Sequence, residues 1–477
     1  MAINKILYVA SECSGFIATG GLAEVAGSLP KAMMEQVKSY KVKVVLPLYK
    51  AISEKYRSEL KFLGSTTINL AWREAYVGVF SLKKDGVEYY FVDNKYYFDR
   101  DKAYGYFDDG ERFAFFSRSI FAVMEIAKFY PHVIHCNDWH TALVNVYLDI
   151  LYKKQGLLTD IKSVFTIHNI EYQGVYEIPF LTDVIGIDSA YQEILEYNGL
   201  INLVKGAIVC SDVVNTVSPR YAKEIATSHF SCGLEHIVRL NNQKIYGIIN
   251  GIDVDFYNPE TDSAIYKQFN LENIGDKKVN KVELQKELGL EVNPDVCLIS
   301  VISRLAGHKG IDLILEQFEA MMNENVQVVV LGTGGEHFEN SFRYFENRYQ
   351  GRVKALILFN TKLAKKVYAA SDIFLMPSKM EPCGLSQMIA SRYGAVPLVR
   401  ETGGLYDTIK PENGYSFKEY NSGDMLYVIK SAVNDYYNKE SGVFNGKLVN
   451  AMEKDFSWNV SAKEYISMYK KMFSKKK

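Results

Sequence analysis

The chain has 477 residues, a formal net charge of −1 at pH 7, and 48% hydrophobic and 23% charged residues. That length suits about three domains or two large α/β domains, and near-neutrality disfavours the basic face that nucleic-acid binding needs. The six cysteines (Cys13, Cys136, Cys210, Cys232, Cys297, Cys383) include no Cys-x-x-Cys pair, which argues against zinc and disulfide frameworks and for a reducing, cytoplasmic setting. The first apolar run, Ile6 to Ala10, is too short for a signal-peptide core and reads as a strand, and no run approaches a membrane span.

Lys5 to Ala10 leads into Ser11–Gly27, where Gly20 and Gly21 open a helix carrying Leu22, Val25, Ala26 and Leu29 that Pro30 is expected to close. This strand, Gly-rich loop and helix is neither a dinucleotide fingerprint nor a P-loop, and alone it is a weak signal. Its echo strengthens it: Thr19-Gly20-Gly21-Leu22 returns as Thr402-Gly403-Gly404-Leu405. Lys41 to Leu46 reads as a second strand, residues 60–98 as β-hairpins, and residues 110–130 as a helix with Phe113, Phe116, Ile120, Phe121 and Met124 inward. Val133–Cys136 and Ser163–Ile167 are short strands that run directly into Asn137-Asp138-Trp139-His140 and His168-Asn169. Polar groups at strand ends are where α/β sheets place their ligands. His135, His140 and His168 invite a metal reading, but no ligand spacing supports it. Val213–Val217 and Ile245–Ile249 read as the last strands of this half, and Asp253-Val254-Asp255 as a solvated loop.

The second half begins near Pro259, with a helix around Lys281 to Leu288. Cys297–Ile302 is a buried strand followed by a loop that holds Arg304 and Lys309; Val326–Leu331 and Ala355–Phe359 are further strands. Arginine forks onto two phosphate oxygens and lysine acts as a point charge. The next stretch is strand Ile373–Met376, a loop with Glu381, Cys383 and Gly384, a helix ending at Gly394, strand Val396–Val399, and Thr402-Gly403-Gly404 opening another helix. Two helix N-termini with free N–H groups suit phosphate, so the Glu381 carboxylate is expected beside an anion site, with a sugar between the two. Residues after Phe456 form an amphipathic helix expected to brace a domain boundary, and Lys475–Lys477 read as a solvated tail. Tyrosine is plentiful, with 34 residues; aromatic rings can stack on sugars, although compositional drift is the simpler reading.

The joint order of these motifs resembles the bacterial glycogen synthases and plant starch synthases, retaining α-1,4-glucan glucosyltransferases. The resemblance rests on Thr19–Leu22, His135–His140, Thr166–Asn169, Asn215–Pro219, Ile249–Asp253, Ser303–Leu305 with Lys309-Gly310, Glu381–Leu385 and Thr402–Leu405, and spans nearly the whole chain. It implies an α/β fold of GT-B architecture: two Rossmann-like doubly wound domains facing across a cleft. The expected domains are residues 1–255, completed by the helix 457–477, and residues 256–456. It implies transfer of glucose from ADP-glucose, or alternatively UDP-glucose, to the non-reducing end of glycogen or another α-1,4-glucan, with no metal or other cofactor. Its implied catalytic residues are Glu381, needed at the donor glucose, with Asp138 and His168 lining the sugar pocket. The implied donor-binding set is Arg304 and Lys309 on the diphosphate, Phe359 on the nucleobase, and Gly20, Gly21, Asn250, Cys383, Gly384, Leu385, Thr402, Gly403 and Gly404. Neither a membrane nor a nucleic acid is expected as partner, and oligomeric state is left open. One departure stands out: the family's first Gly-rich loop carries a lysine where this chain has Ala18. Loss of that cation bears on donor affinity and donor choice, and it motivates the alternative of a non-catalytic glucan-binding paralogue. A glucan phosphorylase would need a pyridoxal-phosphate lysine that no motif marks.

Overall fold

The structure, a computed structural model, describes residues 3–474; the reading of Lys475–Lys477 lies outside them. The chain divides into two compact units. The first runs through Gly251 and resumes at Trp458; the second is Ile252–Ser457.

The first unit contains β1 (Lys5–Val9), β2 (Lys41–Pro47), β3 (Lys61–Leu70), β4 (Arg73–Lys84), β5 (Val87–Asp93), β6 (Val133–Asn137), β7 (Lys162–Ile167), β8 (Val175–Tyr176), β9 (Glu196–Tyr197), β10 (Leu200–Asn202), β11 (Val213–Thr216) and β12 (Ile245–Gly247). Among the described residues nine of these form one sheet in the order β12-β11-β7-β6-β1-β2-β5-β4-β3, and β8-β10-β9 form a small separate one. From β12 to β5 the pairs are parallel; β4 and β3 join as an antiparallel meander. Parallel strands covered on both faces read as continuous apolar runs, and β1 and β6 are almost wholly buried. Strand order reverses at β1, which lies between β2 and β6. In such sheets the crevice for ligands lies outside the carboxyl ends of the strands at that reversal, here the loops that hold Glu12 and Asp138.

The second unit contains β13 (Cys297–Ile302), β14 (Val326–Leu331), β15 (Val353–Leu356), β16 (Ile373–Met376), β17 (Val396–Arg400) and β18 (Tyr415–Phe417). They form an all-parallel sheet, β15-β14-β13-β16-β17-β18. Its reversal lies at β13, between β14 and β16, and the loops leaving β13 and β16 carry Arg304, Lys309 and Glu381. The core of this unit joins Ile299, Val301, Val328 and Leu375 of the sheet to Ile314, Phe318, Met425 and Ile429 of its helices.

Three sequence expectations shift. The first helix runs Gly21–Gln36 with Pro30 inside it. Proline in a helix interior costs about 3 kcal/mol; burial of Leu29, Ala32 and Met33 on either side of it offsets this, at roughly 1.5–3 kcal/mol for each large apolar side chain. The strand expected at Ala355–Phe359 is Val353–Leu356, because its neighbour β14 ends at Leu331, where the Gly332 N–H closes on the Leu356 carbonyl. Phe359 is therefore off the sheet and 90% exposed. The helix expected from Lys281 starts at Lys277, whose buried ammonium is held by the carbonyls of Tyr368, Ala369 and Tyr393. Burial lowers its pKa to about 7.

The last helix, Trp458–Ser474, closes onto the first unit. Its Tyr469 hydroxyl lies 2.6 Å from His135 Nδ1, and Asn215 Nδ2 donates to the Tyr465 hydroxyl at 2.9 Å. Among the described residues no helix is long and apolar enough to cross a membrane.

Candidate active site

In the second unit the loops after β13 and β16 meet at one ion pair. Lys309 Nζ lies 2.6 Å from Glu381 Oε2, and the Ser378 hydroxyl donates to the same oxygen at 3.2 Å. Glu381 is only 7% exposed, so the pair is desolvated and electrostatically strong. Three glycines set this geometry. Gly310, at φ +73, lies where a Cβ would overlap the Pro377 carbonyl; Gly403, at φ +44, where one would overlap the Glu381 carbonyl; and Gly404 where one would overlap the Cys383 carbonyl. The glycines thus let the β13 and β17 loops press against the backbone around Glu381.

The two helix starts beside Glu381 differ. The Gly404 N–H donates to the carbonyls of Glu381 and Pro382, so the Thr402-Gly403-Gly404 turn positions Glu381 rather than presenting all its donors. At the start of the helix Ser386–Arg392, the Leu385 and Ser386 N–H groups meet no acceptor among the described residues. Gly384, at φ +74, makes the turn into that helix, and Cys383 is buried beneath it. Gln387 locks the turn by donating to the Cys383 and Gly384 carbonyls. Arg304 is exposed and makes no side-chain hydrogen bond or ion pair among the described residues. Phe359 stands exposed on the loop after β15.

In the first unit Asp138 follows β6 at φ +55. Its Oδ1 accepts the His168 N–H at 2.7 Å, and the Asn169 N–H also bonds its carboxylate. Burial raises its pKa to about 7 against those two donors. His168 Nε2 lies 2.9 Å from Asn137 Oδ1, while Asn137 Nδ2 donates to the Val9 carbonyl. That second bond makes Oδ1 the acceptor, so His168 carries its proton on Nε2 and leaves Nδ1 as a free acceptor. Burial lowers its pKa to about 3, which keeps the ring neutral. His135 is engaged on both nitrogens, with Tyr469 and Thr166, and His140 packs on Tyr104, Phe113 and Trp139. Among the described residues no group of three or more His, Cys, Asp or Glu could hold a metal ion.

The first Gly-rich loop differs from expectation. Gly20 and Gly21 are exposed, but the buried Glu12 carboxylate accepts the Thr19 N–H and hydroxyl, both at 2.6 Å, and bonds the Gly20 N–H. The loop's donors are therefore turned on its own acid, whose pKa is raised by burial. Glu12 and Tyr104, whose hydroxyl meets Ser11 at 2.8 Å, escaped the sequence reading, whereas Asn137 stood in the polar run noted after β6. Only Glu12 carried a signal, as an acid directly after a strand and ahead of a Gly pair. Asn250 is buried with its Oδ1 unpartnered among the described residues.

Residues 5–240 match the family model of the starch synthase catalytic domain, and residues 283–445 that of group 1 glycosyl transferases. A glycogen synthase of Lactococcus lactis is 46% identical over 98% of this chain and 100% of its own length, and one from Geobacillus stearothermophilus 42% over 99% and 98%. The chain belongs to the glycogen synthase and starch synthase family. It is a glycosyltransferase of the GT-B fold. The catalytic domain of starch synthase IV from Arabidopsis thaliana, solved with ADP and acarbose, superposes with a TM-score of 0.89 at 32% identity over 99% of this chain and 100% of that one. A sucrose-phosphate synthase from Thermosynechococcus elongatus, 14% identical over 99% of this chain and 100% of that one at a TM-score of 0.62, shares the fold.

Two outcomes follow from this geometry. Gly403→Ala forces the Glu381 carbonyl to move, and turnover is expected to fall about a hundredfold, the usual effect of a misplacement near 1 Å. Steady-state kinetics of the folded variant measure it. Asp138→Asn removes a carboxylate whose folded pKa, about 7, exceeds its ordinary 3.8. The folded state therefore holds the proton more tightly, and wild-type stability falls as pH rises from about 4 to 7. The variant is expected to melt higher at pH 8, by on the order of 1–2 kcal/mol, with the gain vanishing towards pH 4. Thermal unfolding at the two pH values checks the sign.

Proposed function

We propose that this glycosyltransferase lengthens an α-1,4-glucan by moving glucose from ADP-glucose to its non-reducing end with retention of configuration. The observation that carries the reading is the desolvated Lys309–Glu381 pair at the strand-order reversal of the second unit. Cleavage of the bond between the anomeric carbon and the phosphate oxygen separates charge: positive on the sugar, negative on the diphosphate. Lys309, Arg304 and the unpartnered N–H groups of Leu385 and Ser386 supply fixed positive potential for the diphosphate. The Glu381 carboxylate offsets charge on the sugar. Groups oriented before reaction need no rearrangement during it, and two side-chain cations supply charge that a metal would otherwise bring. Phe359 offers a ring face to the base. In the first unit the Asp138 carboxylate and His168 Nδ1 are acceptors for sugar hydroxyls. The acceptor hydroxyl attacks on the face the phosphate leaves, its proton passes to the departing phosphate oxygen, and ADP is the product. The reaction is placed in the cytoplasm, in keeping with six cysteines that are all free thiols.

Support for the donor comes from the Arabidopsis relative, which holds ADP. Ala18, exposed where the family has a lysine, makes UDP-glucose the competing donor. Nucleotide release from ADP-glucose and UDP-glucose, with and without glycogen, decides. Glycogen-dependent release of ADP at the higher kcat/KM is expected. Preference for UDP-glucose would overturn the donor assignment, and release from neither would leave a glucan-binding protein without catalysis.

A further inference from the structure

Arg400 closes β17, the strand beside β16, and is 8% exposed. Its Nε donates to the Ser378 carbonyl at 2.8 Å, its Nη2 to the Lys379 carbonyl, and its Nη1 to the Lys418 carbonyl at 3.2 Å. A guanidinium carries its donors in a rigid planar fork, so it fixes two successive carbonyls relative to each other. Those of Ser378 and Lys379 stand three and two residues before Glu381. Ser378 is also the residue whose hydroxyl donates to the Glu381 carboxylate at 3.2 Å. It is thus gripped through its backbone by Arg400 while its side chain touches the carboxylate.

The peptide between Ser378 and Lys379 is held from both edges. Its carbonyl accepts from Arg400, and its N–H donates to the His308 carbonyl at 2.9 Å. His308 directly precedes Lys309, so one peptide unit ties the loop after β13 to the loop after β16, and both to β17. Tyr420, in the loop after β18, backs this arrangement. Its hydroxyl donates to the Asp312 carboxylate at 2.5 Å and lies 3.3 Å from the Gly307 carbonyl, on the turn that leads to Lys309. The Arg400 guanidinium and the Lys379 ammonium each lie 5.6 Å from the centre of its ring, within reach of cation–π attraction.

We propose that Arg400, supported by Tyr420, is a positioning residue for glucose transfer: through Ser378 it sets where the Glu381 carboxylate stands beside Lys309. This rests on the functional reading above. Buried arginines on carbonyls also serve stability alone, and the distinction is whether the effect of Arg400 passes through Glu381. A misplacement near 1 Å costs turnover about a hundredfold, whereas the donor contacts proposed for Arg304 and Phe359 stay in place. Loss of the fork is therefore expected in kcat and not in donor KM.

The test uses the full chain with glycogen and whichever of ADP-glucose and UDP-glucose is the better donor. Arg400→Lys and Tyr420→Phe are each made alone and together with Glu381→Gln. Lysine keeps the charge and loses the fork; phenylalanine keeps the ring and loses the hydroxyl. Arg400→Lys is expected to lower kcat about a hundredfold, with donor KM changed by less than about twofold. Tyr420→Phe is expected to lower it about tenfold, the worth of one hydrogen bond. In single-turnover transfer by Glu381→Gln, adding either substitution is expected to cost less than about threefold, because residues that act as a unit are not additive. Circular dichroism and thermal unfolding control for the fold. Equal losses with and without Glu381→Gln would overturn the proposal and give Arg400 to general stability. So would a rise in donor KM at unchanged kcat, which would make Arg400 a donor contact. If Arg400→Lys does not fold, the Tyr420→Phe proteins decide by the same criteria. Absence of glucose transfer from either donor by the unsubstituted protein would fail the functional reading itself, before any variant is compared.

Discussion

Glu381→Gln is expected to lower turnover about a thousandfold, as loss of a preorganised charge at a developing transition state does, while the protein remains folded. The amide keeps the size of the carboxylate and can still accept from Ser378 through its oxygen, so the packing under Cys383 and Gly404 is retained. What it loses is the negative charge proposed above to offset charge on the sugar, and the ionic partner of Lys309, 2.6 Å away. Removing an interaction made only in the transition state lowers kcat and kcat/KM together, so donor KM is expected to change little. Single-turnover glucose transfer to glycogen, with circular dichroism as the control for folding, measures the effect. Near-normal elongation by the variant would remove Glu381 from the catalytic assignment.

Lys309→Ala is expected to cost about 2–4 kcal/mol in donor kcat/KM, of the size seen when one member of a desolvated, hydrogen-bonded pair is removed. Two effects combine. The point charge proposed for the diphosphate disappears, and among the described residues Glu381 is left as a nearly buried carboxylate with Ser378 as its side-chain partner. The second effect also predicts lower stability, and a double substitution separates the two. Lys309→Ala with Glu381→Gln is expected to recover stability relative to Lys309→Ala alone, because the unpaired charge is gone, yet to recover no activity. Groups in contact show such non-additivity and distant ones do not. Additive stability changes across the four proteins would show that the pair is not coupled.

Much of the site was legible before any coordinates. The residues Asp138 and His168 stand immediately after β6 and β7, whereas Arg304 and Lys309 lie two and seven residues past β13 and Glu381 five residues past β16, so the strand ends were readable and the meeting of their loops was not. Where the reading failed, long-range packing was responsible. Pro30 read as a helix end because its local cost is visible in sequence and the apolar contacts that outweigh it are not. The strand near Phe359 was placed late because its end depends on where β14 runs out, at Gly332. The Gly20-Gly21 stretch read as a Gly-rich helix start, and its sequence did not show that Glu12, eight residues upstream of Gly20, takes the Thr19 and Gly20 N–H groups. Glu12 is an ordinary acid in sequence and acquires its role only when the loop folds back over it.

The sequence by itself determined the class of fold, the positions of most strands and the residues that carry charge at their ends, because these are local properties of periodicity and residue type. Only the tertiary structure decided strand order, and with it the reversals at β1 and β13 that bring one loop beside another. It also decided that Lys309 meets Glu381 and that His168 shows Nδ1 rather than Nε2. Those outcomes depend on contacts between residues tens to more than a hundred positions apart, such as the hydroxyl of Tyr8 on Asn137. Periodicity and propensity carry no information about such pairs, whereas packing and the pairing of buried polar groups select among them.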